Sequence, residues 1–142
     1  MKGYNESYCN ASLNAIMSAN NNLMMTTVKG ALKVSHYGKT DTLALDSIPE
    51  IAISRILHTY DPDCILVTEE LGCDAAKVWP AYCNPKNQPT IFFCDPTDRS
   101  YFLKKFLEDY LEKNEDTEIE KIIAKANKEA AKPTKTEPVK KT

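Results

Sequence analysis

Two short stretches of this chain gather side chains able to do chemistry: Glu69-Glu70 and Asp95-Pro96-Thr97-Asp98, each following an apolar run. Four carboxylates brought together with nothing between them repel strongly. At 4 Å each like-charged pair costs on the order of 4 kcal/mol even at the effective dielectric of a protein surface. A cation resolves the conflict. Oxygen donors without His or Cys select a hard ion, and Mg²⁺ keeps some of its waters and shares phosphate oxygens instead of filling a protein cage. The chemistry indicated is phosphoryl transfer or phosphate hydrolysis. A helix starting at Arg99 adds a second element, because its free amides and positive dipole end would point at an anion bound beside the metal. On composition alone a plainer alternative is equally open: the same residues as solvated loop positions at strand ends, with Asp98 a helix N-cap.

For these residues to meet, the runs before them must be neighbouring strands. Cys64-Ile65-Leu66-Val67-Thr68 and Thr90-Ile91-Phe92-Phe93-Cys94 have strand length and β-branched or aromatic composition, and their continuous apolarity predicts strands covered on both faces. Between them, residues 77–89 contain Trp79-Pro80, Asn84-Pro85 and Gln88-Pro89 and read as an irregular surface excursion. Upstream, residues 7–34 place Leu13, Ile16, Met17, Met24, Val28, Ala31 and Leu32 at helical spacing, with a polar interruption at Asn20-Asn21-Asn22. That predicts one long helix, open to a break in its middle. After a loop over residues 36–42, Asp46 or Ser47 caps a second helix, Pro49 suits its first turn, and Ile48, Ile51, Ala52, Ile56 and Tyr60 give it an apolar face before Asp61-Pro62 stops it. The pairs Phe102-Leu103, Phe106-Leu107 and Tyr110-Leu111 predict a third amphipathic helix from near Arg99 to about Lys113.

The expected fold class is therefore α/β, in α+β layers, with two amino-terminal helices packed on the start of a β-sheet. Residues 1–113 form the site-bearing part. Residues 114–142 form a charged helix to about Ala131 and then a disordered lysine-rich tail with little to bury.

Composition narrows the function further. The chain has 142 residues, 42% of them hydrophobic, and a net charge of −2 from 20 acidic and 18 basic residues. That balance carries no nucleic-acid or membrane-surface footprint. Without a run of 18 or more apolar residues or an apolar signal core, a cytoplasmic location is expected. Cys9, Cys64, Cys73, Cys83 and Cys94 are odd in number with wide, irregular gaps, which indicates neither a disulfide framework nor a zinc site. Only His36 and His58 are available to activate a nucleophile, and neither adjoins one in sequence, so a cysteine or serine hydrolase has little support.

Lys39-Thr40-Asp41 leading to Leu45-Asp46, then a helix, then Ile65-Leu66-Val67-Thr68-Glu69-Glu70, then Phe92-Phe93-Cys94-Asp95-Pro96-Thr97-Asp98-Arg99-Ser100 resembles the inositol monophosphatase superfamily over residues 7–110. That superfamily includes inositol phosphatases, fructose-1,6-bisphosphatases and phosphoadenosine phosphatases. The resemblance implies Mg²⁺-dependent hydrolysis of a phosphate monoester on a small sugar, inositol or nucleotide. It implies that Glu69, Asp95, Asp98 and the carbonyl of Thr97 are metal ligands, with Glu70 nearby in the metal site. Asp46 then pairs with the hydroxyl of Ser100 to activate a metal-bound water, Glu69 joins them among the catalytic residues, and Arg99 and Ser100 meet the phosphate. Two departures stand in the motif: Arg99 where the family usually has Gly, and Ser100 where it commonly has Thr.

Family members are close to twice this length and supply a further Asp from a Trp-Asp-x-Ala-like motif in their second half, whereas Trp79 here precedes Pro80. The resemblance thus implies a truncated half-fold, an incomplete second Mg²⁺ site, and weak or absent turnover by the isolated chain. A homo-oligomer, or a second polypeptide bearing the missing half, would complete it. The alternative function is a non-catalytic remnant or interaction module that retains weak metal or phosphate binding. The expected partner is a small phosphorylated metabolite, with neither nucleic acid nor membrane.

Overall fold

The structure, a computed structural model, describes residues 6–37, 40–68, 70, 90–97 and 99–133. Among them are five helices and two strands: α1 (Glu6–Met24), α2 (Val28–Leu32), α3 (Ala44–Tyr60), β1 (Ile65–Thr68), β2 (Ile91–Cys94), α4 (Ser100–Lys113) and α5 (Ile119–Ala130). The mixed helix-and-parallel-sheet character agrees with the expected α/β class. The surface excursion over 77–89 and the tail from residue 134 lie outside the described residues. So do Cys73 and Cys83.

The amino-terminal helical region does break, at Met25-Thr26-Thr27 and not at the asparagine triplet, which stays helical with its side chains in solvent. Threonine supplies the reason. Thr26 Oγ1 turns back to donate to the Asn22 carbonyl at 2.8 Å, and Thr27 Oγ1 accepts from the Gly30 amide at 3.0 Å, capping α2. Such local hydroxyl bonds compete with helix continuation and favour a fresh N-cap.

The buried face of α1 also differs from the expected one. Leu13, Ile16 and Met17 are exposed, whereas Ala11, Ala15 and Ala19 are buried against Ala52, Ile53 and Leu57 of α3. Residues four apart form one stripe, and a stripe of alanines admits a close helix approach that leucine and methionine would block. At about 100° per residue the three large side chains lie roughly 140–240° around the axis from Ala11, on the far side.

Helix α3 is the central element. It begins earlier than expected: Leu43 is its N-cap and makes no side-chain cap bond, so Asp46 sits inside the first turn instead of capping it. Its carboxy-terminal half packs on α1 and β1, while Leu45 joins Val28, Ala31, Leu107, Ile119 and Ile122 in a second core cluster. Contact on two sides explains why Leu45, Ser47, Pro49, Glu50, Ala52, Ile53 and Leu57 are all buried, a wider arc than the single apolar face predicted. Tyr60 is exposed, and the helix stops at Asp61 as expected.

Strands β1 and β2 run parallel and in register, from Ile65 opposite Ile91 to Thr68 opposite Cys94. The expectation of cover on both faces is corrected for β2. Phe92 and Cys94 pack toward α1 and α3, but Ile91 and Phe93 are not part of that core, and Phe93 is 77% exposed. Helix α4 directs Leu103, Leu107, Tyr110 and Leu111 inward and leaves Tyr101, Phe102 and Phe106 exposed. The charged helix α5 is tied to the α1–α2 junction by Ile119 N–H to Thr26 O at 3.0 Å and Val28 N–H to Thr117 O at 2.9 Å. No helix among the described residues is long and apolar enough to cross a membrane.

Candidate functional site

The register of the sheet places the two acidic segments. Because Thr68 and Cys94 are direct partners in parallel strands, β1 and β2 end at the same level and point the same way. The chain therefore leaves both strands at one edge of the sheet. Asp95, exposed, comes immediately after β2, and half-buried Glu70 lies two residues beyond β1. Glu69 and Asp98, the other two expected carboxylate ligands, lie outside the described residues.

A proline fixes the third element. Pro49 lies within α3 and has no N–H, so the carbonyl four residues earlier, that of Leu45, loses its ordinary helical donor. The hydroxyl of Thr97 donates to that carbonyl at 3.3 Å. The loop after β2 is thereby tethered to the first turn of α3, where Asp46 sits. The resemblance makes Thr97 a ligand through its carbonyl, and its side chain adds this tether. Ser100 opens α4 directly after the loop.

Two threonines orient the acids around this point. Thr42, buried, donates to a Glu70 carboxyl oxygen at 2.5 Å, and its own carbonyl accepts from the Ser35 amide at 2.8 Å. Thr68, the last residue of β1, donates to Oε1 of Glu50. Glu50 is not among the site residues expected from the sequence. It is fully buried on α3, one turn after Asp46, and its Oε2 has no hydrogen-bond partner. A partial signal for it exists: an acid four residues after Asp46 shares the helix face of Asp46.

Burial pushes the Glu50 carboxyl above the ordinary 4.5; hydrogen bonds from Thr68 and Tyr37 pull it down, and the charges of Glu70 and Asp46 push it up again. Because folding favours the protonated carboxyl, its contribution to stability is full below 4.5 and is lost as pH rises through the elevated folded value. In metal-free buffer Glu50→Gln is expected to be more stable than the parent at pH 7, and the difference should vanish below pH 4.5. Urea titrations across that range measure it. The Cys94 thiol is likewise pushed up, by burial first and then by the charges of Glu50 and Asp95.

Arg99 stands in the left-handed region, φ 54° and ψ 43°, as the N-cap of α4. This gives the departure from glycine a physical meaning, since a residue with a Cβ costs roughly 1–2 kcal/mol there while Gly adopts it freely. Arg99→Gly is expected to raise stability by up to about 1 kcal/mol, after allowance for the greater chain entropy of Gly. A shift in the urea midpoint tests it. Asp95 and Pro96 also border an apolar groove lined by Ile16, Leu23, Pro49, Ile53 and Phe93, whose chemistry suits apolar contact and not phosphate.

Among the described residues no group of three or more Asp, Glu, His or Cys is close enough to hold a metal ion. The described donors nevertheless suit a hard divalent cation: Asp46, Glu70 and Asp95 supply oxygen only, and Glu50 adds a buried oxygen lacking a donor. No family model, curated protein or solved structure matches the chain.

Proposed function

We propose that the chain binds Mg²⁺ at the shared end of β1 and β2 and hydrolyses a phosphate monoester carried on a small sugar, inositol or nucleotide. The observation that supports this most is the in-register parallel pairing, which delivers Glu70 and Asp95 to one edge beside Asp46 and Glu50 of α3. In this reading Glu69, Asp95, Asp98 and the Thr97 carbonyl hold the metal, with Glu70 beside them. When bound, the cation lowers the pKa of water and neutralises charge that develops on the phosphoryl group.

The chain's own groups do the rest. The Asp46 carboxylate accepts a proton from the Ser100 hydroxyl, which in turn orients and deprotonates the attacking water. Arg99 places a guanidinium beside the phosphate, and the first amides of α4 add their dipoles. Thr97 ties the loop that follows Asp95 to the first turn of α3 through Leu45. Positioning of this kind supplies most of the acceleration in phosphoryl transfer.

The test is phosphate release from inositol monophosphate, fructose bisphosphate and phosphoadenosine at millimolar Mg²⁺, with Asp95→Asn as control. Release that requires Mg²⁺ and disappears in the variant supports the proposal. Mg²⁺ binding with no turnover of any of the three would overturn hydrolysis by this chain and leave a metal- or phosphate-binding module.

A further inference from the structure

Glu50 stands out from the other acids of the site. It is the only buried carboxylate among the described residues, and it is completely enclosed. Oε1 accepts from Thr68 at the end of β1, the Tyr37 hydroxyl also donates to the carboxyl group, and Oε2 is left without a hydrogen-bond partner. A carboxylate has about four acceptor positions, and burying one with an oxygen unsatisfied is unfavourable unless a donor arrives. Glu50 also stands near the acids of the proposed site. It lies one helical turn from Asp46, its Thr68 contact is the residue before Glu69, and the charges of Glu70 and Asp46 act on it.

We infer that Glu50 is a positioning residue for the cation site: its free Oε2 accepts a hydrogen bond from a water of hydration of the divalent ion, while Oε1 holds the end of β1 through Thr68. This rests on the cation-binding reading above. Mg²⁺ gives up its waters reluctantly, so a site built for it supplies acceptors behind the first ligands as well as the ligands themselves. Acceptors of that outer kind commonly carry about a 10- to 100-fold share of metal affinity. Glu50 does two tasks at once, fixing the strand end that delivers Glu69-Glu70 and receiving the ion's water. The arrangement gives a role to an acid on the buried face of a helix, beside Pro49, Ala52 and Ile53.

The test is titration calorimetry of Mg²⁺ into the full chain and into Glu50→Gln and Asp95→Asn, with circular dichroism and metal-free thermal midpoints for each. The expected result is that the parent binds, Asp95→Asn loses binding, and Glu50→Gln stays folded, gains thermal stability without metal and binds Mg²⁺ about 10–100-fold more weakly. Glu50→Met, of similar volume and without an acceptor, carries the same binding expectation should the Gln variant fail to fold. If Asp95→Asn loses binding while the folded Glu50 variant binds within twofold of the parent, the inference is overturned and the site itself survives. A lower metal-free midpoint with unchanged affinity would likewise make Glu50 merely an acceptor for Thr68. If the parent does not bind, or Asp95→Asn binds as well as the parent, the cation site fails and this inference with it.

Discussion

Asp95→Asn is expected to weaken Mg²⁺ binding by more than about 100-fold, beyond the loss caused by removing an outer-sphere acceptor. Asp95 is exposed directly after β2, at the edge where Glu70 also emerges. The amide keeps the shape and removes the charge, so the change isolates electrostatic attraction to the ion. Because the side chain contributes little burial, metal-free stability should stay within about 0.5 kcal/mol of the parent, as for surface substitutions generally. A ligand at 100 times its Kd stabilises the folded state by about 2.7 kcal/mol. The parent should therefore show a rise in thermal midpoint with Mg²⁺ that the variant lacks. Calorimetric titration gives the affinity ratio, and thermal melts with and without metal give the linkage.

Leu45→Ala is expected to cost about 2–5 kcal/mol, the usual range for truncating a buried leucine. Leu45 is fully enclosed and joins α3 to Val28, Ala31, Leu107, Ile119 and Ile122, so its removal opens a cavity between four helices. Such a loss is a large part of the roughly 5–15 kcal/mol that stabilises a domain of ordinary size. The effect should reach the site as well, since the Leu45 carbonyl receives the Thr97 hydroxyl and Asp46 is the next residue. Leu45→Met, which conserves volume, should cost less than about 1.5 kcal/mol. Urea unfolding of both variants separates cavity formation from any effect of changing the residue type.

Much of this architecture is written in local pattern. The runs ending at Thr68 and Cys94 became strands, the Phe-Leu and Tyr-Leu pairs became α4, and Asp61-Pro62 ended α3. Local pattern could not say which apolar residues would be inside. Hydrophobicity ranks Leu13, Ile16 and Met17 above Ala11, Ala15 and Ala19, yet the approach of α3 selects the alanines because only small side chains fit between helices so close. The same limit applies to β2: apolarity on both sides of Phe92 gave no means of telling that Phe93 would remain exposed.

The site shows a similar division. Asp46, Glu70, Asp95 and Thr97 stand out in the sequence as candidates because each lies near the end or beginning of an element. Glu50 and Thr42 do not, because their roles depend on which hydroxyl meets which carboxyl across the fold. The tether from Thr97 to Leu45 is equally hidden. In the sequence Pro49 signals a helix start, and only its position inside α3 reveals that it frees a carbonyl.

The central claim is that the acids at the joint end of β1 and β2 hold a divalent cation. Anomalous diffraction from crystals of the full chain grown with Mn²⁺, a carboxylate-binding ion visible by its scattering, tests it most directly. The predicted result is an anomalous peak at that edge, coordinated by carboxylate oxygens that include Asp95, with a water of the ion facing Glu50 Oε2. A well-ordered structure at saturating Mn²⁺ with no peak there, or with manganese only on distant surface carboxylates, would contradict it.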